Sequence, residues 1–168
     1  MSSTKKIFVV LLSVIGSLFL LAVWYQYTYS MGKAEAFEVN SSEYPKKLLI
    51  ATQGSEFKDS ITLNVANHFK QDSIFVSVKD ISALKDIKPE DYNALLLIHT
   101  WESWNPPIDI GIFINRTKDY KDRIVVITTS GDGSYKMLDV DAITGESKTE
   151  NVLPFTREAI HKIESLLK

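Results

Sequence analysis

The residues of this chain that could do chemistry gather in three short stretches, each at the downstream end of an apolar run. "TQGSEFKDS" carries Thr52, Gly54, Ser55, Lys58 and Ser60; "HTWESWNPP" places Thr100, Trp101 and Trp104 directly after "ALLLI"; "TTSGDGSY" offers Ser130, Gly131, Asp132 and Tyr135. Hydroxyls and a lysine beside a glycine suit an anion, and a tryptophan buries its ring wherever it can. The protein's own core, a partner surface or a flat ligand would each serve Trp101 and Trp104.

Other chemistries find little support. Cys is absent, so there is no thiolate nucleophile, thiolate metal site or disulfide framework. His68, His99 and His161 are far apart, and no His-x-x-x-His or acidic cluster suggests a metal. His68 and His161 read as surface positions on helices; His99, at a strand end, reads first as a structural hydrogen-bonding residue. Neither Ser55 nor Ser60 lies in a nucleophile-elbow pattern. Lys and Arg number 19 against 21 Asp and Glu, a net charge of -2 with no basic block, which argues against nucleic acid. The sequons at Asn40 and Asn115 are taken as chance occurrences.

The elements that must position the three stretches alternate. Lys46–Gln53, "SIFVSVKDI", "YNALLLIHT" and "RIVVITTSG" read as strands, and "YKMLDVDAIT" as a short edge strand. Between them "SITLNVANHFK" is helical, with Ser60 as the expected N-cap. "PPIDIGIFINRTKDY" is helical with Ile108, Ile112 and Phe113 expected inward. The last helix, "PFTREAIHKIESLLK", carries an apolar stripe of Phe155, Ala159, Ile160, Ile163, Leu166 and Leu167. Doubly apolar strands alternating with helices predict an α/β domain with a parallel sheet. Ligands of such folds bind where the strands end, so all three stretches would share one edge.

Ahead of this lies "IFVVLLSVIGSLFLLAVWY", Ile7–Tyr25, uncharged throughout. At about 1.5 Å per residue it reaches roughly 28 Å as a helix, close to a hydrocarbon core. Trp24, Tyr25, Tyr27 and Tyr29 would form an interfacial belt at its end. A cleaved signal peptide is the competing reading, but the small residues of "AEA" at Ala34–Ala36 lie well past the apolar run. The expected organisation is a tail at 1–6, a transmembrane anchor at 7–29, a tether at 30–45 and a folded domain at 46–168. Lys5 and Lys6 before the span, against Lys33 behind it, place the N-terminus in the cytoplasm and the domain outside, by one charge.

Three loops of that domain resemble the flavodoxin-like family. "DYNALLLIHTWESW" is similar to the third-strand segment of flavodoxins, whose Thr-Trp or Thr-Tyr covers one face of the flavin; Thr100 and Trp101 fall on that pair. "SGDGSYKMLDVDAI" is similar to the next loop, where Gly131, Asp132, Ser134 and Tyr135 match and the family's Tyr covers the other face. The first loop departs from the tight phosphate turn by about two inserted residues. "GSEFKDS" looks more like the Gly-Ser turn of related NAD(P)H-dependent FMN reductases. The stretch between "TTSGDG" and the last helix is short for the family, which implies that its fourth helix is lost. "DAITGES" resembles a covalent FMN-attachment motif of exported flavoproteins, but Glu146 and Ser147 stand at two key positions and argue against attachment.

The resemblance implies a flavodoxin-like parallel sheet flanked by helices, preceded by one transmembrane helix, with FMN as cofactor. Thr52, Gly54, Ser55, Lys58 and Ser60 would hold the phosphate. Thr100, Trp101, Trp104, Ser130, Gly131, Asp132 and Tyr135 would surround the ring. Electron transfer beside a membrane, to a membrane redox protein or quinone, is the leading expectation. Two alternatives stay open: a cofactor-free scaffold binding a protein or envelope partner, and an NAD(P)H-dependent FMN or quinone reductase.

Overall fold

A computed structural model describes residues 3–29, 31–138 and 140–168, giving only the helical path over 26–29. The side chains of Tyr27 and Tyr29, expected in the interfacial belt, lie outside the described residues. The chain divides into two units, Met1–Met31 and Gly32–Lys168. The first is a single helix, α1 (Ser3–Tyr29), of which Ser3–Tyr25 is long and apolar enough to cross a membrane; a signal sequence has the same character.

In the second unit the elements are β1 (Gly32–Lys33), β2 (Phe37–Val39), β3 (Lys46–Gly54), α2 (Glu56–His68), β4 (Ile74–Asp80), β5 (Ala94–Thr100), α3 (Ile108–Arg116), β6 (Ile124–Thr129), β7 (Asp141–Gly145) and α4 (Thr149–Leu166). The sheet runs β2-β4-β3-β5-β6-β7, with β1 paired to β3. β4, β3, β5, β6 and β7 are mutually parallel, while β1 and β2 run antiparallel to their neighbours. Counted among the parallel strands alone, the order is 2-1-3-4-5, a doubly wound sheet whose direction reverses between β3 and β5.

Strand alternation divides the core. Leu48, Ile50, Leu96, Ile98 and Ile127 face Ile61, Val65, Ala159 and Ile163 of α2 and α4. Leu49, Ala51, Leu95, Leu97 and Val126 face Leu84, Ile110 and Phe113. Both faces of the inner strands are therefore dry, as their unbroken apolar runs require. No helix occurs among the described residues between β6 and β7, so one crossover that would cover the α3 side is missing.

Three expectations are corrected. α2 begins five residues early, and Ser55 rather than Ser60 is its N-cap, accepting the Lys58 amide; the Ser60 hydroxyl instead donates to the Glu56 carbonyl. In α3 the inward positions are Ile110 and Phe113, whereas Ile108 and Ile112 point to solvent. The Pro107 start fixes that phase: residues 110, 113 and 114 share one stripe, and the missing crossover leaves the other bare. The expected tether is not free chain along its length. Phe37 and Val39 alternate around Glu38 and pair with Val78 and Val76 on the outer strand, while Lys33 and Gly32 pair with Gln53 and Gly54. Asn40, at φ 69°, closes this segment by donating its side-chain amide to the carbonyls of Phe69, Asp72 and Ile74.

Candidate functional site

The three chemistry-bearing stretches meet where β3, β5 and β6 end, at the reversal point of the sheet. Parallel register brings Thr52 beside Ile98, and Thr100 beside Thr129. A residue not singled out from the sequence, Gln53, spans this crevice. Its carbonyl oxygen accepts the Thr100 amide at 2.8 Å, and its amide nitrogen donates to Glu102 Oε1 at 2.7 Å. Its only signal in the sequence is a polar residue at the end of an apolar strand, which reads equally well as the start of a turn.

Trp101 is fixed from two directions. Its backbone amide donates to the Thr129 carbonyl at 2.8 Å, and its indole N–H donates to Thr128 Oγ1 at 2.8 Å. The ring lies against Tyr135, centre to centre 5.1 Å, with the planes 35° apart. Tyr135 is held more loosely. Its backbone amide reaches Ser130 Oγ at 3.4 Å, across a turn in which Gly133 takes φ 69°. Asp132 organises that turn by accepting from the amide and hydroxyl of Ser134, which hold its carboxyl below the usual range. Gly131 lies exposed in the same turn. Behind it, a chain of hydroxyls runs from Thr100 to Thr129 to Ser147 at 2.7 and 2.8 Å.

Trp104 stands apart from this pair. Glu102 and Asn105 exchange backbone hydrogen bonds, and the two residues between them, Ser103 and Trp104, both adopt positive φ, 49° and 63°. Such a two-residue turn favours Asn-Gly; here it presents a tryptophan to solvent.

At the other end of the crevice, Ser55 caps α2 and also accepts from the Lys58 ammonium at 3.1 Å. Lys58 is fully buried, and burial pulls its pKa down to about 8 against the opposing charges of Glu102 and Asp59. Thr52 turns its hydroxyl to the Gln53 carbonyl, and Ser60 points along the helix. Gly54 is required by close approach: a Cβ there would stand 2.4 Å from the Lys33 carbonyl oxygen. His99 is also wholly buried, and neither ring nitrogen meets a hydrogen-bond partner of standard geometry among the described residues. Burial, helped by the nearby Lys58 charge, lowers its pKa to about 4, so it is neutral at pH 7. Among the described residues no group of His, Asp and Glu could hold a metal.

The donor set can be tested against the flavin mononucleotide that the sequence resemblance implies. The N-terminus of α2 offers amides, a favourable dipole end and the Lys58 charge, although Glu56 and Asp59 in the same turn oppose an anion. A flat ring between two others needs roughly 7 Å, two contacts of about 3.5 Å each. The Trp101–Tyr135 pair is closed below that. The residues fit the group on one condition, that Tyr135 swings away while Trp101 stays; Trp101 is held through its indole N–H, Tyr135 through its backbone amide alone.

No family model and no curated protein sequence matches the chain. Solved structures do. A flavodiiron core from Synechocystis superposes with a TM-score of 0.56 at 14% identity, over 74% of this chain and 36% of that one. A flavo di-iron protein from Thermotoga maritima gives 0.50 at 16%, over 77% and 37%. An archaeal flavodoxin gives 0.48 at 10% identity, over 71% of this chain and 98% of its own. The chain thus spans little more than a third of the two flavodiiron structures. Together with the strand order, the two flavodiiron likenesses establish a flavodoxin-like fold.

Proposed function

We propose that this chain is a membrane-anchored flavodoxin-like domain that binds FMN without a covalent bond and passes electrons beside the membrane. The observation that supports it most is the Trp101–Tyr135 pair, two flat faces at the reversal point of a doubly wound sheet. When bound, FMN supplies reversible electron transfer. Ser55, the α2 amides and Lys58 hold the phosphate, with Thr52, Gly54 and Ser60 shaping the turn around it. Trp101 is the fixed face, and Tyr135 the movable one. Thr100, Ser130 and Gly131 line the ring edge. The carboxylates of Glu102 and Asp132 disfavour added negative charge on the ring and lower its potential. α1 holds the domain near a membrane redox protein or quinone, raising effective concentration without new contacts.

Titrating the full chain in detergent with FMN tests this. Saturable quenching of flavin fluorescence supports the reading; unchanged fluorescence at high protein concentration overturns it. Bleaching of bound flavin by NADPH alone would instead mark a reductase.

A second reading is favoured by Gly54 and Gln53. The Lys33 backbone packs on Gly54, and the Gln53 side chain bridges the crevice, so the chain's own groups take space near the expected phosphate turn. On this reading the domain is a cofactor-free scaffold for a protein or envelope partner, and the same titration shows no flavin at all.

A further inference from the structure

The second unit exposes large apolar side chains in an uneven way. Trp104 is 77% exposed, Ile108 76% and Leu138 79%, with Ile112 beside them on α3. These belong to the turn after β5, to α3, or to the segment between β6 and β7 and include the three most exposed; elsewhere Leu63 of α2 and Leu153 of α4 are exposed at 50% and 58%. Leu138 lines a cleft of about 470 Å³ with Gly111 and Ile114 of α3. Apolar exposure concentrated in this way marks a surface that meets something.

Two further facts say what. The first is shape. Trp104 sits at the tip of a two-residue turn with φ 63°, a conformation unfavourable for a bulky side chain. A narrow tip carrying one aromatic ring, followed at once by exposed isoleucines, suits insertion among lipid headgroups, where tryptophan is favoured. The second is chain length. The chain enters the sheet at Gly32, paired with Gly54 at the same strand-end edge from which the Trp104 turn projects. Only residues 26–31 separate Gly32 from Tyr25, the last residue of the apolar span. Seven Cα steps reach at most about 25 Å, so a bilayer holding the span limits how far that edge can stand from its surface.

We propose that the Trp104 turn, with Ile108 and Ile112, inserts into the headgroup region of the bilayer. The inference rests on the reading of α1 as an uncleaved anchor and is independent of flavin. Along 108–123, Arg116, Lys118, Lys121 and Arg123 stand against Asp109, Asp119 and Asp122, a net charge of only +1, so apolar insertion rather than lipid charge is the driving term.

Because the chain has no cysteine, one introduced thiol reports one place. Full-length Ser103→Cys, Asn105→Cys, Ser17→Cys and Ser73→Cys variants would each be labelled with an environment-sensitive fluorophore. Each is then placed in phosphatidylcholine–phosphatidylglycerol vesicles carrying brominated acyl chains. Position 17 lies within the span; position 73 is exposed where β4 begins, at the opposite edge of the sheet. The expected result is loss of most emission at 17, clear quenching and a blue shift at 103 and 105, and no change at 73. Adding Trp104→Ser, or Ile108→Ser as an alternative, should weaken quenching at 105. Quenching at 17 but at neither 103 nor 105 overturns the docking while leaving the anchor standing. Quenching at none overturns the anchor and the docking with it. Shielding of 103 that appears in lipid-free detergent and grows with protein concentration assigns the patch to a second copy of this chain, which also overturns it.

Discussion

The Trp101 and Tyr135 rings pack with their centres 5.1 Å apart but are held differently: the indole donates to Thr128, while Tyr135 is tied to its turn through its backbone amide, 3.4 Å from Ser130 Oγ. Two aromatic faces at the end of a crevice close on each other because each removes apolar area from water, and the contact adds about 1 kcal/mol. On the proposed function a flavin ring would have to replace it. The fixed ring offers its face without further ordering, whereas Tyr135 must be ordered again at an entropic cost. Trp101→Ala is therefore expected to weaken FMN binding by about tenfold. Tyr135→Ala changes it by less than about threefold and speeds association. Titration and stopped-flow flavin fluorescence check both.

Gln53 gives a test of the crevice that needs no ligand. Removing its side chain in Gln53→Ala strands the Thr100 amide and should cost about 1–3 kcal/mol of stability. Gln53→Glu keeps an acceptor for Thr100 but sets a carboxylate against Glu102. That variant should be clearly destabilised at pH 7 and less so, relative to the parent at equal pH, near pH 4, where one carboxyl can be protonated and donate. Urea midpoints at the two pH values decide it.

His99 and Lys58 predict how stability follows pH. Burial lowers the pKa of His99 from 6.5 to about 4, so below pH 6.5 the unfolded chain takes up a proton that the folded chain refuses. Stability then falls as pH drops from 6.5 to about 4 and levels off below. Lys58, lowered from 10.5 to about 8, acts higher up: the unfolded chain holds the extra proton between those values, and stability rises with pH across that window. Each shift corresponds to at most roughly 3 kcal/mol. His99→Leu should flatten the acid slope and Lys58→Met the alkaline one, measured by urea unfolding across pH. If FMN phosphate sits beside Lys58, the anion favours the charged amine, and affinity should fall as pH rises through 8.

Gly54 predicts a local event. The Cβ of Gly54→Ala would meet the Lys33 carbonyl, and backbone cannot yield as a side-chain tip can. The Gly32–Lys33 pairing should release while the two dry cores remain, since no core side chain is touched. Trypsin cleavage after Lys33 should quicken, with the bulk thermal transition lowered by a few degrees, about 1–2 kcal/mol.

What the sequence disclosed follows the same divide between strong and weak signals. Runs such as Leu95–Ile98 and Val125–Ile127 could only be strands buried on both faces, and they placed the reversal point and all three loops. Phe37 and Val39 supply two apolar positions around one glutamate, too few to distinguish an edge strand from a polar tether. Ser55 and Ser60 both precede helical spacing, and only the folded backbone shows that Ser55 is the one whose hydroxyl accepts the Lys58 amide. The phase of α3 depends on where Pro107 starts it and on a helix that is missing, so the sequence points to Ile108 and Ile112 where the structure buries Ile110. Gln53 carries no local signal whatever. Its role exists only because β3 and β5, distant in sequence, lie side by side.

The Ser103–Trp104 turn sets stability against surface. Positive φ at both positions suits Asn-Gly, and a bulky residue held there costs of order 1 kcal/mol. Trp104→Gly should raise the melting temperature by a few degrees, and the double change Ser103→Asn with Trp104→Gly by somewhat more, because the turn then matches its residues. Calorimetry of the full chain in detergent measures this. The same variants should leave FMN titrations unaltered, since Trp104 does not join the Trp101–Tyr135 pair, and should lose quenching by brominated lipid. A stabilised turn with undiminished bilayer contact would show that Trp104 does not carry the docking and would overturn its insertion. A stabilised turn with lost contact would show that stability has been given up to hold the tryptophan outward.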